Sequence, residues 1–265
     1  TFMRKNTRAI KIAITYEKGG CGKTTTAVNL SAMLAERGNK VLLVDLDKQA
    51  YATSYYNCCN ENQPCIFEVM QGIVNCKQAI ISTGFDNLFL LPSSRRFAGI
   101  ETFLMMKTKR QEYTLQSVLE PVENDFDYII LDCPPSGERI KENALTTTDY
   151  VILPIIPDDF AVAGLVQIAQ EIVEVKRYTN PKIEVLGVLI TQFERNKNKM
   201  EYTKAFKSQN MLPCFETVIR KNTALSEAIN HHKPINKYKK SCNGCRDYNS
   251  LTDEILQALK GCNKY

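Results

Sequence analysis

A chain of 265 residues, 44% of them hydrophobic, is long enough for one large α/β domain or two small ones and can bury a sizeable core. It has no run of about eighteen apolar residues, which excludes a helical membrane span, and its first residues (Thr1, Phe2, Met3, Arg4, Lys5) lack the apolar stretch of a secretory signal, so a cytosolic protein is expected. The net charge of +5 is unevenly spread: residues 195–246 hold twelve Lys and Arg against three Glu and no Asp, which suits a polyanionic partner as well as an ordinary solvated surface.

In chain order, apolar runs alternate with amphipathic stretches, the pattern of a mostly parallel sheet flanked by helices. Residues 10–14 read as the first strand and 24–37 as its helix, with Gly38 as the stop. Residues 41–44 form a short continuous apolar run, as a strand buried on both faces should. The Tyr-, Asn- and Cys-rich stretch 51–65 reads as a loop with room for a helical turn. Helices are expected at 66–70 and 74–80, a strand at 88–91, and helices at 97–107 and 113–119. A strand at 128–131, a helix at 143–147, a strand at 150–154, a long helix at 160–178 and a strand at 183–190 follow, and a helix at 250–259 closes the chain. With no repeat, low-complexity tract or linker, the expectation is a single α/β domain over residues 1–265.

Between the first strand and its helix lies Lys18-Gly19-Gly20-Cys21-Gly22-Lys23-Thr24-Thr25. Glycines let backbone N–H groups approach a phosphate closely, and a helix N-terminus adds unpaired donors and the positive end of a dipole. Lys23 is placed to reach the β- and γ-phosphates and Thr24 to ligate Mg²⁺. The common phosphate-loop spacing requires Gly at the position of Glu17, and a second lysine, Lys18, stands at the loop entrance. For Lys18 alone the plain alternative is a solvated side chain on a glycine turn. Asp45 and Asp47 end the second strand and Asp132 ends the 128–131 strand. Ligands of open α/β sheets bind outside the carboxyl ends of strands. If these strands flank the first, all three carboxylates face the phosphates, where Mg²⁺ and an attacking water need oxygen partners.

Residues 18–26, with Ala27-Val28-Asn29-Leu30-Ser31 and 41–47, closely resemble the deviant phosphate loop and following motifs of the ParA/Soj-type partition ATPases, in the ParA/MinD branch of phosphate-loop NTPases. The likeness recurs in family order at 90–94, 130–136, 149–154, 217–219 and 225–228. The resemblance implies ATP and Mg²⁺ as ligands, with Gly19, Gly20, Cys21, Gly22, Lys23, Thr24 and Thr25 around the phosphates. It implies Thr24 as an inner Mg²⁺ ligand, and Asp45 and Asp132 as outer ones through water. Asp47 resembles the residue that positions the attacking water, and the segment from Arg220 to Asn222 the one that borders the adenine. Lys18 looks like the signature lysine that crosses a dimer interface to the partner's nucleotide. The implied activity is an ATPase that forms an ATP-bound homodimer and coats double-stranded DNA without sequence preference. A ParB-like activator would trigger hydrolysis, and the cargo would be a plasmid, a chromosome or a mobile element.

The sequence departs from the family pattern in places. Cys21 stands for a usual Val, Lys48 and Arg220 each for a usual Pro, and Ala224 for a common basic residue of the DNA patch. Arg195, Lys197, Lys199, Lys221, Lys237, Lys239 and Lys240 are the candidates to supply that charge instead. Three other readings compete. A MinD-like membrane-associated ATPase needs a basic amphipathic closing helix, but residues 250–259 and their flanks offer only Lys260 and Lys264. A redox ATPase like nitrogenase iron protein needs cluster cysteines at another spacing than Cys133 has. A binding module without turnover fits poorly with Lys23, Thr24, Asp47 and Asp132 all present. The ten cysteines are irregularly spaced and are expected as free thiols; Cys242 and Cys245 form one Cys-x-x-Cys pair, short of the four ligands of a closed zinc site.

Overall fold

The computed structural model describes residues 8–262 apart from 61, 159–160, 195–198, 202 and 205–210. Six parallel strands, β1 (Ile10–Ile14), β2 (Val41–Asp45), β4 (Leu88–Leu91), β5 (Tyr128–Asp132), β6 (Tyr150–Ile155) and β7 (Glu184–Ile190), form the sheet, with β3 (Ile81–Ser82) as an antiparallel edge. Their order is β3-β4-β2-β5-β1-β6-β7. Every residue of β2 and β5 is buried, because both faces of these strands are covered.

Successive residues of a strand point to opposite faces, and the core divides accordingly. Ile12, Ile14, Leu43 and Ile130 face α1 (Lys23–Glu36), α9 (Thr223–Asn230), α10 (Ile235–Tyr238) and α11 (Asn243–Cys262). Ala13, Leu42, Val44 and Leu131 face α3 (Ile66–Met70), α5 (Ile100–Met106), α6 (Thr114–Leu119) and α7 (Glu138–Thr147). At the far end, Val151, Leu153 and Val188 pack on Leu165, Ile168 and Ile172 of α8 (Ala161–Tyr178).

The differences from the expected elements have local causes. Part of the 51–65 loop is the short helix α2 (Tyr51–Tyr56). The helix expected at 74–80 contracts to α4 (Cys76–Ala79), because Asn75 caps its start and the chain must extend at Ile80 to pair β3 with β4. The 97–107 helix divides into a 3-10 turn at Arg95–Gly99 and then α5. Helix α7 begins at Glu138 rather than 143, because the Glu101 carboxylate accepts the N–H groups of Arg139 (3.2 Å) and Ile140 (3.1 Å) from across the fold. The start expected for α8, Phe160, lies outside the described residues. Helix α11 starts at Asn243 instead of 250, its polar first turns fixed by tertiary contacts: Tyr248 is buried, with its hydroxyl 3.1 Å from Thr26 Oγ1. Leu251, Ile255 and Leu259 are buried too, so the apolar stripe that a membrane-bound closing helix would present is spent on the core. Among the described residues no helix is long and apolar enough to cross a membrane.

Candidate nucleotide site

Strand β1 delivers the chain into the glycine loop at the carboxyl edge of the sheet. Gly20 (φ 74°) and Gly22 (φ 89°) take left-handed conformations that a side chain would strain. Gly22 is the N-cap of α1 and offers no side-chain cap, so the first N–H groups of the helix are left to a ligand. The end of β7 props the loop from behind: the Thr191 hydroxyl donates to the Cys21 carbonyl (2.8 Å) and Gln192 Nε2 to the Gly20 carbonyl (2.6 Å). Lys23 is buried, and its Nζ donates to the Lys18 carbonyl at 2.9 Å, so the ammonium lies within the loop's own curve. Cys21 fills a wholly buried position against β6 and α8, which a thiol can occupy as a small apolar side chain. Burial raises its pKa, and Lys23 offsets part of that rise.

The entrance of the loop is tied down where a glycine is more usual. Glu17 accepts from Lys141 Nζ of α7 (3.0 Å) and from Gln167 Nε2 of α8 (2.8 Å), and Lys141 also donates to Glu171 (2.9 Å). Next to it, Lys18 turns its Nζ outward into an ion pair with Asp158 of the same chain.

The three strand-end carboxylates differ in their surroundings. The expectation that both acidic strands border β1 holds only for β5; β2 lies beyond β5. Register nonetheless aligns the ends, with Ile14 opposite Asp132 and Asp132 opposite Asp45. Asp45 is fully buried with both oxygens accepting: Oδ1 accepts the Asp47 N–H (3.0 Å), and Oδ2 accepts the N–H (2.8 Å) and hydroxyl (2.7 Å) of Thr53 on α2. Burial pushes its pKa up to about 6 despite these donors. Asp47 accepts the Gln49 N–H through Oδ1 (2.9 Å). Asp132 is 1% exposed, and neither of its oxygens has a hydrogen-bond partner. Burial first, then Asp45, raises its carboxyl well above the ordinary range, while Thr24 and Lys23 are close enough to counter part of this.

A buried carboxylate with no donor is costly unless a cation or a proton satisfies it. With Thr24 beside it, Asp132 therefore fits a divalent ion. No three His, Cys, Asp or Glu side chains among the described residues gather into a protein-only metal centre. A stability prediction follows from the same carboxyl. Its pKa is raised in the folded state, so between about pH 4 and that raised value only the unfolded chain releases the proton, and folding stability falls as pH rises. Asp132→Asn, melted in a chelator, is expected to raise the thermal midpoint by a few degrees at pH 8 and to leave it unchanged at pH 4. An equal shift at both values would count against an uncompensated carboxylate.

Beyond Gln192 a cavity of about 900 Å³ opens, bordered among others by Arg220, Lys221 and Asn222. The Asn222 side chain is partly engaged as the cap of α9, accepting the Ala224 N–H at 2.9 Å. The basic candidates divide into two groups. Lys199 (3.4 Å) and Lys221 (2.8 Å) share Glu194, and Lys237 (3.5 Å) and Lys240 (3.3 Å) share Glu36. Lys239 is exposed. Arg195 and Lys197 lie outside the described residues. Cys242 and Cys245 are free thiols at the start of α11, His231 stacks on Tyr238, and His232 Nδ1 faces the Ser54 carbonyl at 3.1 Å.

Sequence reasoning missed Thr53, Asp158 and Asp247, which carry no signal of their own because their partners lie elsewhere in the chain. Thr191 and Gln192 did carry one, since they directly follow an apolar strand run at the ligand-binding edge.

A family model described as an AAA domain matches residues 9–185. The sporulation initiation inhibitor protein Soj of Bacillus subtilis is 37% identical over 246 residues, covering 92% of this chain and 97% of its own. The chromosome partitioning protein ParA of Caulobacter vibrioides is 32% identical over 249 residues, covering 92% and 93%. Among solved structures, cobyrinic acid a,c-diamide synthase from Mycobacterium smegmatis, with bound ATP analog and magnesium, superposes with a TM-score of 0.83 at 30% identity, covering 95% of this chain and 96% of that one.

Proposed function

The chain belongs to the Soj/ParA family of partition ATPases, and from that premise we propose that residues 1–265 act as one ATP-operated switch that positions DNA. The observation that carries the reading is the donor-less Asp132 carboxylate beside a glycine loop whose helix N-terminus is uncapped. One group calls for a cation and the other for an anion, and a Mg²⁺-nucleotide supplies both. Gly19 to Thr25 wrap the phosphates and Lys23 neutralises them. Thr24, with Asp45 and Asp132 through water, would hold Mg²⁺, which when bound offsets charge on the phosphate oxygens. Asp47 orients the attacking water. Lys18 exchanges Asp158 for the nucleotide of a second protomer, so that dimerisation depends on ATP. A ParB-like activator speeds hydrolysis, which returns the dimer to monomers.

The test is size exclusion with and without ATP, followed by an electrophoretic shift on nonspecific duplex DNA and a phosphate-release assay. A monomer that ignores ATP, or ATP-dependent dimers that leave DNA unshifted at low salt, would refute the reading.

DNA binding in this reading joins the basic faces of two protomers. The logarithm of affinity is expected to fall against the logarithm of salt with a slope of roughly −0.9 per phosphate contact. Lys239→Ala is expected to make that slope shallower by about one contact per protomer and to weaken all sequences alike. An unchanged slope would remove Lys239 from the interface.

A further inference from the structure

The Cys-x-x-Cys pair lies where α11 begins, and no step of the nucleotide reading uses it. Cys242 holds the N-cap position: its carbonyl accepts the Arg246 N–H (3.2 Å), and its own N–H donates to the Lys239 carbonyl (3.2 Å). Its Sγ accepts the N–H of Cys245 at 3.3 Å, so the first thiol lies over the turn that carries the second. One helical turn advances about 5.4 Å, inside the roughly 4.4–6.8 Å that a disulfide spans between α-carbons. Cys58 and Cys59 do not compete on these terms, because consecutive α-carbons are only about 3.8 Å apart. The two thiols of the helix start differ in access. Cys242 is half-buried at the edge of the core between α1 and α11, and Cys245 is buried within it. Burial raises the Cys245 pKa first, Cys242 and Glu36 add to the rise, and Lys240 offsets part of it. One thiol thus meets solvent while the other waits protonated behind it. Among the described residues no third ligand joins them, so the pair suits thiol chemistry rather than a closed metal site.

We propose that Cys242 and Cys245 are a redox modification site, closed to an intramolecular disulfide by a low-molecular-weight disulfide and reopened by a dithiol. In the first step Cys242, as thiolate, attacks one sulfur of the small disulfide. That S–S bond breaks, and one small thiol leaves with the proton that Cys242 gave up. In the second step Cys245 gives up its proton and attacks the Cys242 sulfur. The mixed disulfide breaks, and the second small thiol leaves with that proton. Two cysteine sulfurs are oxidised and the small disulfide is reduced to two thiols, so no further reactant is needed. The bridge acts on what the first turns of α11 hold. Gly244 approaches α9 so closely that a β-carbon there would meet the Leu225 side chain at 2.9 Å. Asp247 accepts the Arg220 backbone N–H (2.9 Å) and Nε (3.0 Å), and the Tyr248 hydroxyl meets Thr26 of α1. Fraying of the helix start would loosen these contacts together, and a cross-link across the first turn restricts the frayed chain.

The test incubates the native chain with glutathione disulfide, blocks the remaining thiols with an alkylating agent and maps the peptides by mass. The peptide holding both cysteines is expected to be unalkylated and lighter by the two thiol hydrogens, and dithiothreitol is expected to reverse this. Amide hydrogen exchange over residues 243–250 is expected to be about tenfold slower in the bridged chain than in the reduced one, with β2 and β5 unchanged. Cys242→Ser keeps an oxygen acceptor at the N-cap, so the helix start stays formed, and the reaction at Cys245 is expected to be lost with the attacking thiol. Cys245→Ser is expected to stop at the mixed disulfide, with one glutathione on Cys242. Glutathione held stably on Cys242 of the wild type, ready reaction of Cys245 in Cys242→Ser, a bridge between Cys58 and Cys59 in place of this one, or unchanged exchange over 243–250 would each overturn the proposal. No nucleotide enters the experiment, so its outcome is separate from that of the nucleotide reading.

Discussion

Lys18→Ala is expected to keep ATP binding, to stay monomeric when ATP is added, and to turn over about 10³-fold more slowly or worse, the loss seen when a trans-acting cation is removed from phosphoryl transfer. The separation of these effects comes from the two ends of the residue. Its carbonyl accepts Lys23 Nζ and so belongs to the chain's own phosphate loop. Its ammonium points the other way, to Asp158. Alanine keeps the carbonyl and removes only the outward charge. The ion pair with Asp158 does not forbid a role in a second protomer, because both side chains are about one-third or more exposed and such pairs are worth about 0–1 kcal/mol. A buried, bidentate partner would have made that exchange expensive; Asp158 does not. Size exclusion and phosphate release measure the two outcomes separately. A Lys18→Ala protein that dimerises on ATP and hydrolyses normally would leave the ammonium as a surface cation.

The central sheet was legible because parallel strands covered on both faces must be apolar throughout, and 41–44 and 128–131 are short continuous apolar runs of that kind. The antiparallel pair of residues Ile81 and Ser82 was not legible, since two residues show no period. The first turns of α11 were missed for a related reason: Asn243 to Asn249 is polar in sequence, and its helical state is fixed by Tyr248 and Asp247 reaching residues far away. The same division runs through the site. Loop glycines and strand-end aspartates announce themselves by local pattern. Their supports do not: Thr53 lies in a stretch that reads as loop, Asp158 lies 140 residues from Lys18, and Asp247 lies 27 from Arg220. Sequence pattern thus located the groups proposed to meet the nucleotide, while the groups that hold them in place appeared only once the chain was folded.

Asp47→Ala is expected to stall the cycle with ATP in place: dimers form, persist on DNA, and release phosphate about 10²- to 10⁴-fold more slowly, the usual contribution of a positioned proton acceptor. The choice of Asp47 follows from what the three carboxylates have left to give. Asp45, wholly buried, accepts three hydrogen bonds from Asp47 N–H and Thr53 and has one acceptor site left, on Oδ1, which its outer position on Mg²⁺ would take. Asp132 has both oxygens open but sits 1% exposed at the end of β5, against the proposed cation position beside Thr24. Asp47 uses Oδ1 for Gln49 and keeps Oδ2 for a water, at a position 9% exposed. Alanine preserves the backbone bonds of this turn, because Asp45 accepts the main-chain N–H of residue 47 and Ala50 N–H donates to its carbonyl at 2.9 Å. The carboxylate next door and the phosphate loop therefore remain as they were; the water loses its orientation and the Gln49 N–H its side-chain acceptor. Monomers that return at the wild-type rate after ATP loading would mean that another group directs the attack, and the search would move to residues brought in by the second protomer.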